Sequence, residues 1–537
     1  MTNWGRYALS ALSGLLLFAA WPQQGFGPLV LIALIPWLFA VKGYWKSEAP
    51  PKYRLPFFFS TWLMFALFNG LTGWWISLAH WSGLLAVVFI AASVEALWML
   101  LWTWVARQIG ERRALWGFPF FWLMHEWVLD AWDMEWPWLK LGYAFADWPS
   151  WMQWYSMTGV YGGTLWIVAA NVALLVFLRQ WQKSRSWKGV AKPVLLMFAP
   201  VLLSLWMYAQ YEEQGKAVEV VVVQPNIEPY NEKFEMPVTQ QLQIFFDQAL
   251  PLVRPQTRYL VGPETMIPSG LNEQKLQDEP LLRWVERFRN SLHDSLHVVM
   301  GINSLRIYDH PATASARPNR EGTLWYDVYN TAIQLSEADS IPVYHKSKLV
   351  VGAEKMPFME VLQPLLGELV LEFGGISGTN RTQSHREVFV EDGGRMKVAP
   401  VICWEAEFGD FVADYVREGA QLLFAITNDG WWGDSEGHRQ HLHYARVRAI
   451  ETRRAVARSA NTGISAFINQ RGDLLQTLGW EERGALRETI YANTQKSLYV
   501  RYGDLLLRLA FLLVPLFVLY AISLKLRKVA PSKALLK

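Results

Sequence analysis

The sequence predicts a polytopic α-helical membrane domain of about eight spans joined to a polar α/β domain, and three observations carry that prediction. Aromatic residues make up 15% of the 537 residues and charged residues only 18%, where an ordinary soluble domain carries about a quarter charged residues. Long apolar runs fill the first 212 residues and return once near the C-terminus. Between them, from about Lys216 to Val500, charges become frequent and the apolar runs shrink to strand length.

The apolar runs fall near 8–21, 27–41, 56–78, 83–106, 114–129, 160–178, 193–210 and 505–524. Most approach the ~20 residues that a bilayer core requires. A cleavable signal peptide is the competing reading of the first run; it fits poorly, because apolar spans keep following. The expected organisation is therefore a seven-span domain over 1–212, a polar domain over 216–500, a last transmembrane helix over 503–525 and a basic tail over 526–537. Lys and Arg gather in alternate loops, as with Lys42 and Arg54, Arg107 and Arg113, Arg179 and Lys192, and Lys525 and Lys528 in the tail. The connections between these are neutral or acidic, so both termini are expected in the cytoplasm and the polar domain outside it. The loop 130–158 holds Trp132, Trp136, Trp138, Trp148, Trp151 and Trp154. It reads either as an interfacial aromatic belt or as packing between spans.

In the polar region, "AVEVVVVQPN", "RYLVGPE", "HVVMGIN", "YNTAIQLS", "KVAPVICWE", "QLLFAITND" and "ISAFINQRG" are β-branched runs ended by turn residues, the mark of strands. Helical segments are expected at 238–252, 280–293 and 438–458. Alternating strands and helices predict a layered domain with helices outside the sheets. A net charge of +3 gives no argument for a nucleic-acid partner, and a single cysteine excludes an intramolecular disulfide and CxxC metal sites.

That cysteine, Cys403, ends a strand. A buried lone cysteine is commonly a small apolar packing residue, but a thiolate is also a strong nucleophile once a base or cation ionises it. Glu264 ends another strand and is a candidate base. Lys346 in "VYHKSKLVVGAEKMP" is a candidate for stabilising the thiolate and an oxyanion, with Glu354 eight residues on, and the Trp404 backbone N–H is a second oxyanion donor. Each has a bland alternative: a cap for the glutamate, a solvated turn for the lysine. His438, His441 and His443 lie on a helical stretch and read as a surface or packing cluster.

In combination and in order, Glu264 in "GPETMIP", Lys346 and Glu354 in "YHKSKLVVGAE" and Cys403 in "ICWEAEFGD" resemble the nitrilase (carbon–nitrogen hydrolase) superfamily. The layout of such a domain between a multi-span N-terminus and one last helix, with "VVQPNI", "WPWLKLGYAF" and "NDGWWGDSEGHRQHL", is similar to that of the apolipoprotein N-acyltransferase family. Departures are Val351, Gly352 and Ala353, where the family often has Pro and Phe, Trp404, where it often has Tyr, and Phe234, where it often has Trp.

The resemblance implies an αββα sandwich outside the cytoplasm of a bacterial inner-membrane protein. It implies a Glu264–Lys346–Cys403 catalytic set, with Glu354 orienting Lys346 and Glu405 shaping the pocket or positioning an amine. Phe234 and Phe358 are the implied substrate contacts, and 357–376 is either a lid dipping into lipid or an amphipathic helix on its own domain. The implied reaction passes a fatty acyl chain from a phospholipid donor to a diacylglyceryl lipoprotein acceptor. It needs no metal or other cofactor, and a monomer is expected. The rivals are a membrane-tethered amidase using the same residues, a binding module that has retired the chemistry, and a transporter, which would want ionisable residues such as His125 and Glu126 inside its spans.

Overall fold

The computed structural model describes residues 2–45, 53–313, 315–338, 340–358, 380–391 and 393–529. It divides into two compact units, Met1–Ala209 with Tyr502–Lys537, and Gln210–Arg501. Residues 359–376 of the expected lid and 530–537 of the basic tail lie outside the described residues.

In the first unit each of the eight apolar runs lies in a helical segment: Asn3–Ala19, Gly27–Trp45, Arg54–Thr72, Trp81–Ile109, Glu111–Ala131, Tyr155–Ser184, Ala191–Gln210 and Leu505–Val529. Six of them are long and apolar enough to cross a bilayer, where eight were expected. Asn3–Ala19 has only 17 residues. Glu111–Ala131 carries Glu111, Arg112, Arg113, His125, Glu126 and Asp130. Two of its buried ionisable residues are tied into protein contacts. Glu126 accepts hydrogen bonds from Trp122, Thr164 and the Leu141 N–H, and His125 meets Glu95 at 3.1 Å. The tryptophans of 130–158 divide, with Trp132, Trp148 and Trp151 half-buried. Trp136, Trp138 and Trp154 are buried, the rings of Trp138 and Trp75 lying 4.8 Å apart.

The second unit has strands β1 (Lys216–Gln224), β2 (Thr257–Val261), β3 (Ile267–Asn272), β4 (His297–Tyr308), β5 (Arg317–Pro318), β6 (Trp325–Leu335), β7 (Val343–His345), β8 (Phe389–Val390), β9 (Lys397–Ile402), β10 (Leu422–Thr427), β11 (Ala455–Ala460), β12 (Ser465–Ile468), β13 (Leu474–Leu478) and β14 (Gly484–Ala492). They form two sheets. One runs β14-β1-β2-β4-β6-β5, with β3 on β4 and β7 on β6; the other runs β13-β12-β11-β10-β9-β8. β1, β2 and β4 are parallel, as are β9, β10 and β11.

Period-two alternation builds the layers. Val218, Val220 and Val222 of β1 pack with Tyr259, Val398 and Phe424 between the sheets. Val221 and Val223 turn to the other face, under Leu242, Phe245, Leu282 and Val285 of helices Val238–Ala249 and Pro280–Leu292. Helices Gly409–Arg417 and Glu436–Thr452 contribute Val412, Val416, Leu442 and Ala449 to the core that includes the second sheet. The result is helix, sheet, sheet, helix. One expected element differs: the helix read to 458 stops at Thr452, and Ala455–Ala460 is a central strand. Arg453, at φ 53°, turns the chain out of the helix in place of the glycine that usually does so.

Candidate active site

The parallel strands aim their carboxyl ends at one place, where open α/β sheets bind their ligands. The chain leaves β2 through a tight loop that carries Glu264. Thr265 there has φ 48°, and the loop is held by Gly262 N–H on the Val299 carbonyl (2.8 Å) and Gly301 N–H on the Pro263 carbonyl (3.0 Å). Lys346 follows β7 directly, its N–H on the Asn330 carbonyl (2.8 Å). Cys403 follows β9 at φ 48° and opens a single helical turn, Cys403–Glu407. A β-substituted residue in the left-handed region is held there by its surroundings at a cost, and such strain gathers at functional sites.

These three side chains are brought together and buried. Lys346 Nζ donates to Glu264 Oε1 (2.9 Å) and pairs with Glu354 Oε2 (2.8 Å). Asn330, which the sequence did not single out, donates to Glu264 Oε1 (2.7 Å) and Glu354 Oε1 (2.8 Å) and so clamps both carboxylates. Among the described residues no donor meets Glu264 Oε2, which leaves that oxygen available to a proton. Burial alone would lower Lys346, but the Glu264 and Glu354 carboxylates outweigh it and hold the ammonium well above its ordinary range. Burial and then the Glu264 charge push the Cys403 thiol up, against the pull of Lys346 and the Thr427 hydroxyl. A thiol raised in this way favours its neutral form.

A second buried lysine sits behind Glu264. Lys233 Nζ donates to the Glu264 carbonyl (3.2 Å), and burial takes it down to about 8 while the Glu264 charge opposes. Its neighbour Phe234 is exposed, and Phe358 is partly exposed with φ 56°.

Glu405 is fully buried and meets no solvent. Its Oε1 accepts from Tyr344 Oη (2.6 Å) and the Ser347 N–H (2.7 Å), and its Oε2 accepts from the Ile402 N–H (2.9 Å). Those bonds join the turn of Cys403 to the loop of Lys346. Burial raises it to about 7, opposed by those donors.

The histidines correct the surface reading: His438 and His441 are both fully buried. His441 Nε2 lies 3.2 Å from the Cys403 carbonyl and 3.6 Å from Glu407 Oε1. His441 Nδ1 lies 2.9 Å from Asp429 Oδ1, and Arg458 on β11 pairs with Asp429 Oδ2 at 2.5 Å. Asp429 also accepts from the Thr427 hydroxyl (2.7 Å). Burial would raise the Asp429 carboxyl, but Arg458 and His441 hold it well below the usual range. The available signal was Asp429 itself, an acid two residues past the end of β10, the strand paired with β9.

A family model described as carbon-nitrogen hydrolase matches residues 219–502, and one described as apolipoprotein N-acyltransferase N-terminal domain matches residues 13–173. The apolipoprotein N-acyltransferase of Chlorobaculum tepidum is 30% identical, with 93% of each chain covered. That of Geobacter metallireducens is 27% identical, covering 93% of this chain and 92% of its own. Among solved structures, an amidase of the nitrilase superfamily from Nesterenkonia is similar over 56% of this chain and 98% of its own, at 16% identity and a TM-score of 0.36. With its likeness running from the first apolar helices through the hydrolase sandwich, the chain belongs to the apolipoprotein N-acyltransferase family.

Proposed function

We propose that the chain moves a fatty acyl group from a phospholipid, through a thioester on Cys403, to the α-amino group of the diacylglyceryl-cysteine that begins a lipoprotein. In the first half, Cys403 Sγ attacks the ester carbonyl as Glu264 Oε2 takes the thiol proton. Lys346 and the Trp404 N–H hold the oxyanion. The C–O bond breaks, the alkoxide takes the proton from Glu264, and lysophospholipid leaves. In the second half the lipoprotein amine attacks the thioester, Glu264 takes its proton, the C–S bond breaks, and the departing thiolate takes that proton back from Glu264 to restore the thiol. Two substrates react in turn at one nucleophile, which gives ping-pong kinetics. Glu354 and Asn330 position Lys346 and Glu264, and Phe234 and Phe358 meet the acyl chain.

The observation that carries this reading over a tethered amidase is the pairing of the two matches in one chain: a hydrolase-type site and the N-terminal domain that takes its name from acyl transfer to lipoproteins. The distribution of Lys and Arg supports a multi-pass protein of the bacterial inner membrane, with both termini cytoplasmic and the catalytic unit periplasmic. We take it to act as a monomer.

The test is intact-protein mass spectrometry after incubation with phospholipid and no acceptor. A gain of one fatty acyl group, absent in Cys403→Ala and discharged by a diacylglyceryl-cysteinyl peptide, is expected. A chain that stays unmodified while it hydrolyses amides would overturn acyl transfer in favour of the amidase.

A further inference from the structure

His441 has no part in the steps above, yet it is built into them. It is fully buried on helix Glu436–Thr452, and its Nε2 points at the carbonyl oxygen of the nucleophile itself, 3.2 Å away. The tautomer follows from what each ring nitrogen meets. Nε2 faces oxygens, the Cys403 carbonyl and, farther off at 3.6 Å, Glu407 Oε1. Nδ1 faces an acceptor, Asp429 Oδ1 at 2.9 Å, and a donor, Arg458 Nη2 at 3.2 Å. A neutral ring takes the Arg458 N–H at Nδ1, and a charged ring gives a second N–H to Asp429. In both states Nε2 carries a proton and donates it to the Cys403 carbonyl.

That carbonyl belongs to the same peptide unit as the Trp404 N–H. A trans peptide is planar, with its C=O and N–H on opposite sides. A donor fixed on the oxygen therefore fixes the direction of the N–H, and polarising the oxygen strengthens the N–H as a donor. Without such a donor the peptide can turn about its two flanking bonds, ψ of Cys403 and φ of Trp404, and carry the N–H away from the site.

We propose that His441, set by Asp429 and Arg458, is a positioning residue that locks the Cys403–Trp404 peptide so that its N–H faces the oxyanion. The inference rests on the reading of that N–H as an oxyanion donor.

The test separates two reactions of one sulfur. Acylation by phospholipid passes through an oxyanion. Alkylation by iodoacetamide, in which Sγ displaces iodide, passes through none but needs the same thiol, accessible and able to ionise. Both are followed by intact-protein mass in the full-length, detergent-solubilised chain. His441→Phe keeps a flat ring and removes the donor. Its acylation is expected to fall by about 10²-fold, the scale on which one oxyanion donor acts, while alkylation stays near the wild-type rate. His441→Gln returns an N–H donor near the Nε2 position and is expected to recover most of the acylation. Wild-type acylation in His441→Phe would overturn the proposal. So would an equal loss of both reactions in His441→Phe and His441→Gln, which would make the histidine a packing residue. Failure of the underlying reading looks different: the wild-type chain would alkylate and never acquire an acyl group.

Discussion

Glu405→Gln is nearly isosteric and should nevertheless be severe. The carboxylate is met by a backbone N–H on each oxygen, Ser347 at 2.7 Å and Ile402 at 2.9 Å. A glutamine has one oxygen to offer, so in either orientation its NH₂ faces a buried N–H. One bond to a charged acceptor is lost and one buried donor is left opposed, a cost of about 2.5–6 kcal/mol from the usual values for those two effects, offset in part by relief of the burial penalty that raises the carboxyl. The loss falls on the link between the Lys346 loop and the Cys403 turn, so acylation should slow along with the loss of stability. The assay is thermal unfolding of the solubilised chain beside the rate of Cys403 acylation, at a pH where the glutamate is ionised. The folded group sits near 7 against an ordinary 4.5. Between those values the native state keeps a proton that the unfolded chain releases, so stability falls as pH rises across the window, and the variant should lose that slope. A variant that melts with the wild type at pH 8 and acylates at its rate would refute the reasoning.

Three further outcomes are expected. Gly301→Ala would place a methyl 2.5 Å from the Thr265 nitrogen and 2.7 Å from Glu264 Cα; displacing the base by even a fraction of an ångström should slow acylation by up to about 10²-fold, read by single-turnover mass spectrometry. Asp429→Asn leaves Arg458 buried without its counter-charge and should cost about 3–5 kcal/mol, seen as a lowered melting temperature that Asp429→Asn with Arg458→Met partly restores. Lys233, at about 8 when folded against an ordinary 10.5, binds fewer protons in the native than in the unfolded state between those values. Stability should therefore rise with pH across that window, and Lys233→Met should abolish the rise in pH-dependent melting curves.

Much of this site was legible because its chemistry is sparse. One cysteine, a lysine in a strand-turn and a glutamate after "LVGP" are few enough that their order pointed to a family. The sandwich was legible from valine-rich strands such as β1, whose alternate residues serve two cores. What stayed hidden depended on contacts between distant segments. His441 is 38 residues from Cys403 and sits on a helix buried on nearly every side, so no apolar stripe marks the face that turns to the nucleophile. β11 reads "AVARSA", alanine and arginine that favour a helix, and only enclosure within the second sheet makes it a strand. Glu405 was placed near the site by its motif, but the bonds that tie it to the Lys346 loop come from Tyr344 and Ser347, some 60 residues earlier.

The division of the chain has a consequence for its birth. The catalytic unit is an insertion, entered after Ala209 and left before Tyr502. The last helix packs on Glu111–Ala131, with Phe517 against Gly117 and Phe511 on Trp127. At ordinary elongation rates a ribosome needs roughly 15–60 s to make the intervening ~290 residues. For that time the helix Glu111–Ala131 waits with one groove uncovered, and a chain arrested inside the catalytic unit never fills it.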